Sequence, residues 1–421
     1  MIENFLPLVF FIPPLGLPMG LYGFYKDFVH WRRHVFCLAL AIFAFSYVYL
    51  YPVGDMSRYC ISMDVLMKVS FFDVFDVGYR PGTSAYGFAL WEWFVSQTGD
   101  YRLCWSVLVA ISYYIFVYIT CRIAADYKIH NVCALLYVLF QLVTINFFYM
   151  NEACRNFVAF AMVGLAVFRD LYEHKKDLLT LLLYVLPVFF HNTAIILIGL
   201  RTLVFFVKRF MILSFIGALL VKPFVDFLYL HCYNYLHLDF AEDFICRLIE
   251  HAYRYLNGQV ALKFAQSVAN NILFDFYKWS CVIIAVVFCL SVLYLVKHKN
   301  VLIDVRGRNI EDYLVWVYSV ALLVFVGAQM ATPEYQRFTN ALVGFGAPVF
   351  LLFLSYKSNV NRKWINVVFL VAPFCLLNWM PAIYKIFFEM LFNSFFTSPL
   401  LIAIFDIFDI EFFESLCGIF S

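Results

Sequence analysis

Three times in this chain an acid stands three residues before an arginine at the end of an apolar run: Asp55–Arg58, Glu152–Arg155 and Glu334–Arg337. Residues spaced i and i+3 share one helical face and can pair there. Ionisable groups beside apolar helices are costly and so point to function. Arginine stays charged and grips phosphate oxygens through two N–H groups. A carboxylate or imidazole within hydrogen-bond reach can take a proton from a hydroxyl. Together these groups could bind a polyanion and move a proton.

Other residues extend that chemistry. Arg155 and Asn156 lie about one turn inside apolar sequence, deeper than snorkelling requires. His191-Asn192-Thr193 follows Pro187 in the middle of the apolar stretch 178–207, and an imidazole with an ordinary pKa near 6.5 suits proton transfer. Tyr59 and Tyr335 sit next to the acid–arginine motifs, and Arg247, Arg254 and Tyr255 add two cations and a phenol whose nearest acid is Glu250. Taken singly, each motif also reads as a helix cap or an interfacial ion pair, and a lone histidine is more often a satisfied core residue. Among Asp55, Glu152, His191 and Glu334 as proton acceptors, Asp55 ranks first. Glu152 and Glu334 can be occupied by their own arginines, and His191 is the runner-up.

The elements that must position these groups are membrane helices. The chain is 64% hydrophobic and 14% charged over 421 residues, with mean hydropathy +0.83, which excludes a soluble domain. Its 51 Phe and 29 Tyr suit lipid-facing surfaces and interfacial belts. Most of the twelve cysteines lie in apolar runs, without metal-ligand spacing, and behave as small hydrophobes. No phosphate-binding loop or dinucleotide fingerprint occurs, which argues against a nucleotide-driven pump. No metal, no cofactor and no nucleic-acid partner is expected. Met1–Pro7 lacks basic residues and Pro13, Pro14 and Pro18 interrupt the run that follows, so the first span is expected to be retained and irregular.

Apolar runs near 4–23, 35–52, 102–121, 130–149, 153–170, 211–230, 278–296, 312–330, 338–356 and 364–383 each have a spanning length of roughly 20 residues. The stretch 178–207 reads as two half-helices that go out and come back. The segment 84–98, with Trp91-Glu92-Trp93, reads as an interfacial helix. Basic residues then collect on one side, among them Arg32, Arg33, Arg122, Lys128, Lys175, Lys176, Lys208, Arg209, Arg306, Arg308 and Lys363. By the positive-inside rule that side is cytoplasmic. The expectation is an all-α polytopic bundle of about twelve crossings, in one membrane domain spanning 1–421. Outer loops 53–101 and 231–277 and an interfacial tail 385–421 complete it. An amphipathic surface helix is expected around Asp64, Phe71, Phe72, Asp73, Phe75 and Asp76.

The order Asp-x-x-Arg-Tyr after the second span, Arg-Asn opening a mid-chain span, His-Asn-Thr in an apolar hairpin and Arg-Phe late in the chain resembles the EpsG family. These are Wzy-type polymerases of bacterial surface polysaccharides, including O-antigen. The likeness covers roughly residues 35–350. It implies an all-helical fold like that of the C-type glycosyltransferases, in the bacterial inner (plasma) membrane, with the active site facing the periplasm or exterior. It further implies that a growing glycan on undecaprenyl diphosphate is transferred to a lipid-linked repeat unit. The partners would be those lipid-linked oligosaccharides, membrane lipids and a chain-length regulator protein. In this reading Arg58, Tyr59, Arg155, Asn156, Arg247, Arg254, Tyr255, Tyr335 and Arg337 bind the diphosphate and substrate. No paired acids of the metal-holding kind sit among the outer motifs, so the reaction is expected to be metal-independent. The alternatives are a flippase for lipid-linked oligosaccharide and, third, a membrane O-acyltransferase.

Overall fold

A computed structural model describes residues 32–46, 55–77, 85–145, 147–235, 272–330 and 334–355, with isolated positions near 18–22 and 249–257. The first helices are α1 Arg32–Ser46, α2 Asp55–Leu66, α3 Val74–Val77, α4 Tyr86–Ser96, α5 Leu103–Asp126 and α6 Asn131–Thr144. They are followed by α7 Phe147–Glu152, α8 Cys154–Val167, α9 Leu178–Phe190, α10 Ala194–Thr202, α11 Val204–Arg209 and α12 Met211–Leu219. The last are α13 Val221–Tyr235, α14 Ile272–Lys297, α15 Glu311–Ala328, α16 Glu334–Phe345 and α17 Ala347–Ser355. Among the described residues there is no strand beyond one bridge, between Ile303 and Asn309.

Three straight helical segments are long and apolar enough to cross a membrane: Leu103–Asp126, Asp275–Lys297 and Glu311–Ala328. Counting each of two bent pairs as one span gives five. Most of the run 4–23, the run 364–383, the tail 385–421 and most of the loop 231–277 lie outside the described residues. The described residues divide into two compact units. One falls within Met1–Tyr114 and Phe148–Val158, the other within Ile115–Phe147 and Ala159–Met380.

In the first unit, α2 packs on α4. The expected surface helix through Asp76 is broken instead. After Leu66 the chain turns and re-forms as a 3₁₀ turn at Phe71–Asp73. Ser70 Oγ donates to Asp73 Oδ2 at 2.6 Å and Trp93 Nε1 holds Val69 O at 3.0 Å, local bonds that compete with helix continuation. Phe72 is left 86% exposed.

In the second unit, prolines shape the spans. The run 338–356 begins earlier, at Glu334, and bends by 53° between α16 and α17. Pro348 has no N–H to give Gly344 O, four residues back, and the carbonyls before the bend turn to side chains. Tyr137 Oη donates to Val343 O at 2.5 Å, Gln141 Nε2 to Val343 O and Gly344 O at 3.3 Å each, and Tyr313 Oη to Phe345 O at 3.2 Å. The run 211–230 bends by 61° between α12 and α13, where Pro223 likewise withholds a donor. Gln329 bridges that bend, donating to Ala218 O at 2.7 Å and accepting from Lys222 N at 3.0 Å. Replacing Gln141 by leucine should therefore cost about 1–3 kcal/mol, the penalty for leaving a buried carbonyl unpaired. An unchanged melting temperature for the purified variant would contradict this.

The stretch 178–207 is a hairpin. Tyr184 and Arg201, nearly equidistant from Asn192 and Thr193, both donate to Asp170 Oδ2, at 3.2 and 2.7 Å. Its arms are short, since α9 has 13 residues, about 20 Å at 1.5 Å per residue, against about 30 Å of hydrocarbon. Leu178, Leu181 and Phe189 on α9 are exposed. Trp316 Nε1 donates to Leu197 O at 3.1 Å, which ties α10 to α15 five residues beyond Glu311.

A buried polar clamp closes the same unit near the start of α15. Asp126, 2% exposed, is held by Arg308, by Arg122 at 3.1 Å and by Tyr172 Oη at 3.0 Å. Asp304 accepts from the Arg306 and Arg308 amides, both at 2.8 Å, from Tyr172 Oη at 2.8 Å and from Arg308 Nε at 2.8 Å. The clamp fixes the loop Lys299–Ile310 against the end of α5. Burial opposes the charge on Asp304, but these hydrogen bonds outweigh it and hold its carboxyl below the usual carboxylate range.

Candidate functional site

In the first unit, α2 and α4 mesh through two rungs. The Tyr59 ring meets Phe88 edge-on at 5.0 Å. One turn further along both helices, Ser62 Oγ donates to Glu92 Oε2 at 3.1 Å. Tyr59 Oη reaches across to the carbonyl of Glu152 at 3.1 Å, tying the α2 motif to the start of α8. The Arg155 guanidinium lies 5.4 Å from the Phe88 ring centroid. Thus the candidate residues Tyr59 and Arg155 both meet Phe88, which was not a candidate, and the Glu152 carbonyl is joined to them through Tyr59.

Arg155 and Glu152 do not form the expected ion pair. Helix α7 ends at Glu152 and α8 begins at Cys154, with a turn at Ala153 between them. The i, i+3 rule needs one continuous helix. Arg155 makes no ion pair among the described residues, and its Nε is buried with no hydrogen-bond partner. Asn156 beside it is 6% exposed. Arg58 is exposed on α2, while the side chain of Asp55, which opens that helix, lies outside the described residues.

The missed residue is Glu92. It lies in the segment expected as an interfacial helix and was not among the candidate site residues, yet it is 6% exposed. Both flanking tryptophans anchor the segment, Trp91 to Cys104 O and Trp93 to Val69 O, each at 3.0 Å. An acid between two tryptophans that can each spend a single N–H on a carbonyl was the available signal.

In the second unit, Glu334 and Arg337 do pair, with Arg337 Nη1 at 3.1 Å from both carboxylate oxygens. Glu334 is 8% exposed and the Arg337 side chain 30%, so the cation remains partly open. Gly327 sets this position, because a Cβ there would come within 2.6 Å of the Tyr335 amide. Tyr335 is buried, 5.8 Å from the Tyr277 ring. His191 occupies the hairpin turn, its Nδ1 accepting from Thr193 N at 3.2 Å. Arg254 is exposed, and Arg247 and Tyr255 lie outside the described residues. A cavity of about 490 Å³ lies at the base of the hairpin, lined by Asp170, Lys176, Asp177, Tyr184 and Arg201 among others. Its Asp170 is taken by Arg201 and its Asp177 by Arg169.

Chemically, the first unit offers an arginine, Arg155, with no acid partner among the described residues, and the second an arginine, Arg337, paired with Glu334. A half-buried guanidinium gains much from an anionic ligand that can take its forked N–H groups. No family model, curated protein or solved structure matches the chain.

Proposed function

We propose that this chain is a membrane glycosyltransferase that polymerises polysaccharide, moving a growing glycan from undecaprenyl diphosphate onto a lipid-linked repeat unit. The observation that carries the proposal is Arg155, a cation at the head of an apolar helix that has, among the described residues, no counter-ion and no hydrogen-bond partner for its buried Nε. The resemblance of the ordered motifs to Wzy-type polymerases supplies the substrate class.

In this reaction the bond from the anomeric carbon to the diphosphate oxygen breaks and a bond to the acceptor hydroxyl oxygen forms. The leaving diphosphate gains charge, which fixed cations stabilise. Arg155 and Arg337 are each a candidate for this role, Arg155 directly and Arg337 by turning from Glu334 to the ligand. The acceptor proton passes to a carboxylate or imidazole. Asp55 is the first choice and His191 the second, and the Glu334–Arg337 pair supports ranking Glu334 below both. The site would face the outer side of a bacterial plasma membrane. The rival reading is a flippase, with the same anion affinity and no bond-making.

Complementation of a deletion strain, with sizing of its surface polysaccharide, separates the two. A lipid core capped by single repeats in the deletion, restored to long chains by the gene, supports the polymerase. Loss of all surface repeats would overturn it in favour of the flippase. Arg337→Lys should shorten the chains sharply at normal protein level, since lysine cannot reproduce the bidentate fork; chains of normal length would remove Arg337 from the site.

A further inference from the structure

Helices α6 and α16 pack against one another in the second unit, and both carry buried polar side chains. Gln141 and Thr144 lie on one face of α6; Gln336 and Asn340, four residues apart, lie on one face of α16. All four are buried to 2% exposure or less. Gln141 spends its amino group on the carbonyls at the α16–α17 bend. That leaves Gln141 Oε1, Thr144 Oγ1, Gln336 Nε2 and both Asn340 side-chain polar atoms without a hydrogen bond among the described residues. Buried polar atoms are nearly always bonded, and leaving each one unmade costs about 1–3 kcal/mol.

The types of these atoms define the missing partner. Two carbonyl oxygens can only accept a bond, two amide nitrogens can only donate one, and the threonine hydroxyl does either. An anion would leave the oxygens unmet, and a cation would leave the nitrogens unmet. A group that both donates and accepts, such as a hydroxyl, suits all five. None of the four side chains is charged, so nothing here draws a phosphate. Gln336 is the neighbour of Arg337 at the first turn of α16, and Asn340 lies one turn further in, about 6 Å at 1.5 Å per residue.

We propose that the α6–α16 seam is a subsite for the hydroxyl groups of a neutral sugar, beside the arginine that takes the phosphate. This rests on the transferase reading for its substrate, yet its binding can be measured without any transfer. The same bonds could be met by water alone, and the experiment separates the two.

The full-length protein in lipid nanodiscs is titrated with glucose, galactose, N-acetylglucosamine and their disaccharides, and separately with inorganic pyrophosphate, following the melting temperature. At least one sugar should raise it in the wild type. Asn340→Ala and Gln336→Met should weaken that response about tenfold or more and leave the pyrophosphate response intact. Arg337→Lys should do the reverse. Both seam variants should melt no lower than wild type, because they delete unmet groups. Variants that no longer fold would show that those groups were already bonded within the protein, and would overturn the subsite. So would a wild type indifferent to every sugar, the signature of water alone. Sugar binding in a protein that fails the complementation test would sink the transferase and leave the subsite standing.

Discussion

Arg155→Lys should all but abolish chain elongation while leaving the protein folded, and of all single substitutions in the candidate site it should have the largest effect on turnover. The fold has little invested in this side chain, since its described contact is the Phe88 ring at 5.4 Å, worth about 0.5–1 kcal/mol for a cation over an aromatic face. The reaction has much invested in it. Removing one donor from a developing oxyanion costs about 10²–10³ in rate. Lysine keeps the charge but loses the planar fork and the stacking geometry. Purified variant and wild type, assayed with a synthetic lipid-linked repeat, should differ by at least about 10²-fold at equal melting temperature. A variant within a few-fold of wild type would remove Arg155 from the site, and with it the proposal's main support.

The largest expected effect on stability lies elsewhere, in the clamp around Asp126 and Asp304. Arg308→Ala would remove a cation that touches both buried carboxylates, leaving Asp126 to Arg122 and Tyr172 and Asp304 to two backbone amides and Tyr172. Removing one partner from a buried ion pair costs about 3–5 kcal/mol, enough to prevent accumulation of a marginal membrane protein. Arg308→Lys should restore part of the loss, and a variant with wild-type expression and melting temperature would show the clamp to be dispensable. The pH dependence has a definite sign. The Asp304 carboxyl is held below its ordinary value of 3.8, so its contribution is complete above that value and is lost as pH falls through the lower folded one. Acid should therefore destabilise the wild type more steeply there than Asp304→Asn, which has no such proton to take up.

What could be read from the chain follows from which physical signals are local. The runs 102–121, 278–296 and 312–330 became α5, α14 and α15 because uninterrupted apolar length is enough to define a straight helix. The hairpin was legible because His191-Asn192-Thr193, with Pro187, interrupts such a run. The bends at 220 and 346 were less visible, since run length ignores a proline near the start of the following helix. The Glu152–Arg155 pairing failed because Ala153, a good helix former, gives no hint of a break. Glu92 was missed because burial of an acid depends on what packs over it, and Ser62 comes from another helix. Nothing in the spacing of Gln336 and Asn340 could show that their atoms would be left unpaired; only the facing surface of α6 decides that.

The hairpin also dictates an order of events during synthesis. Neither arm is long enough to be settled in a bilayer on its own, and the helix that anchors it has not yet been made when it emerges. Leu197 waits 119 residues for Trp316, roughly 6–24 s at a translation rate of about 5–20 residues per second. Arg201, Lys208 and the hairpin turn must therefore be sheltered by the insertion machinery, or remain at the surface, until α15 is in place. A chain truncated before Glu311 should be cleared by quality-control proteolysis, even though its earlier spans are complete.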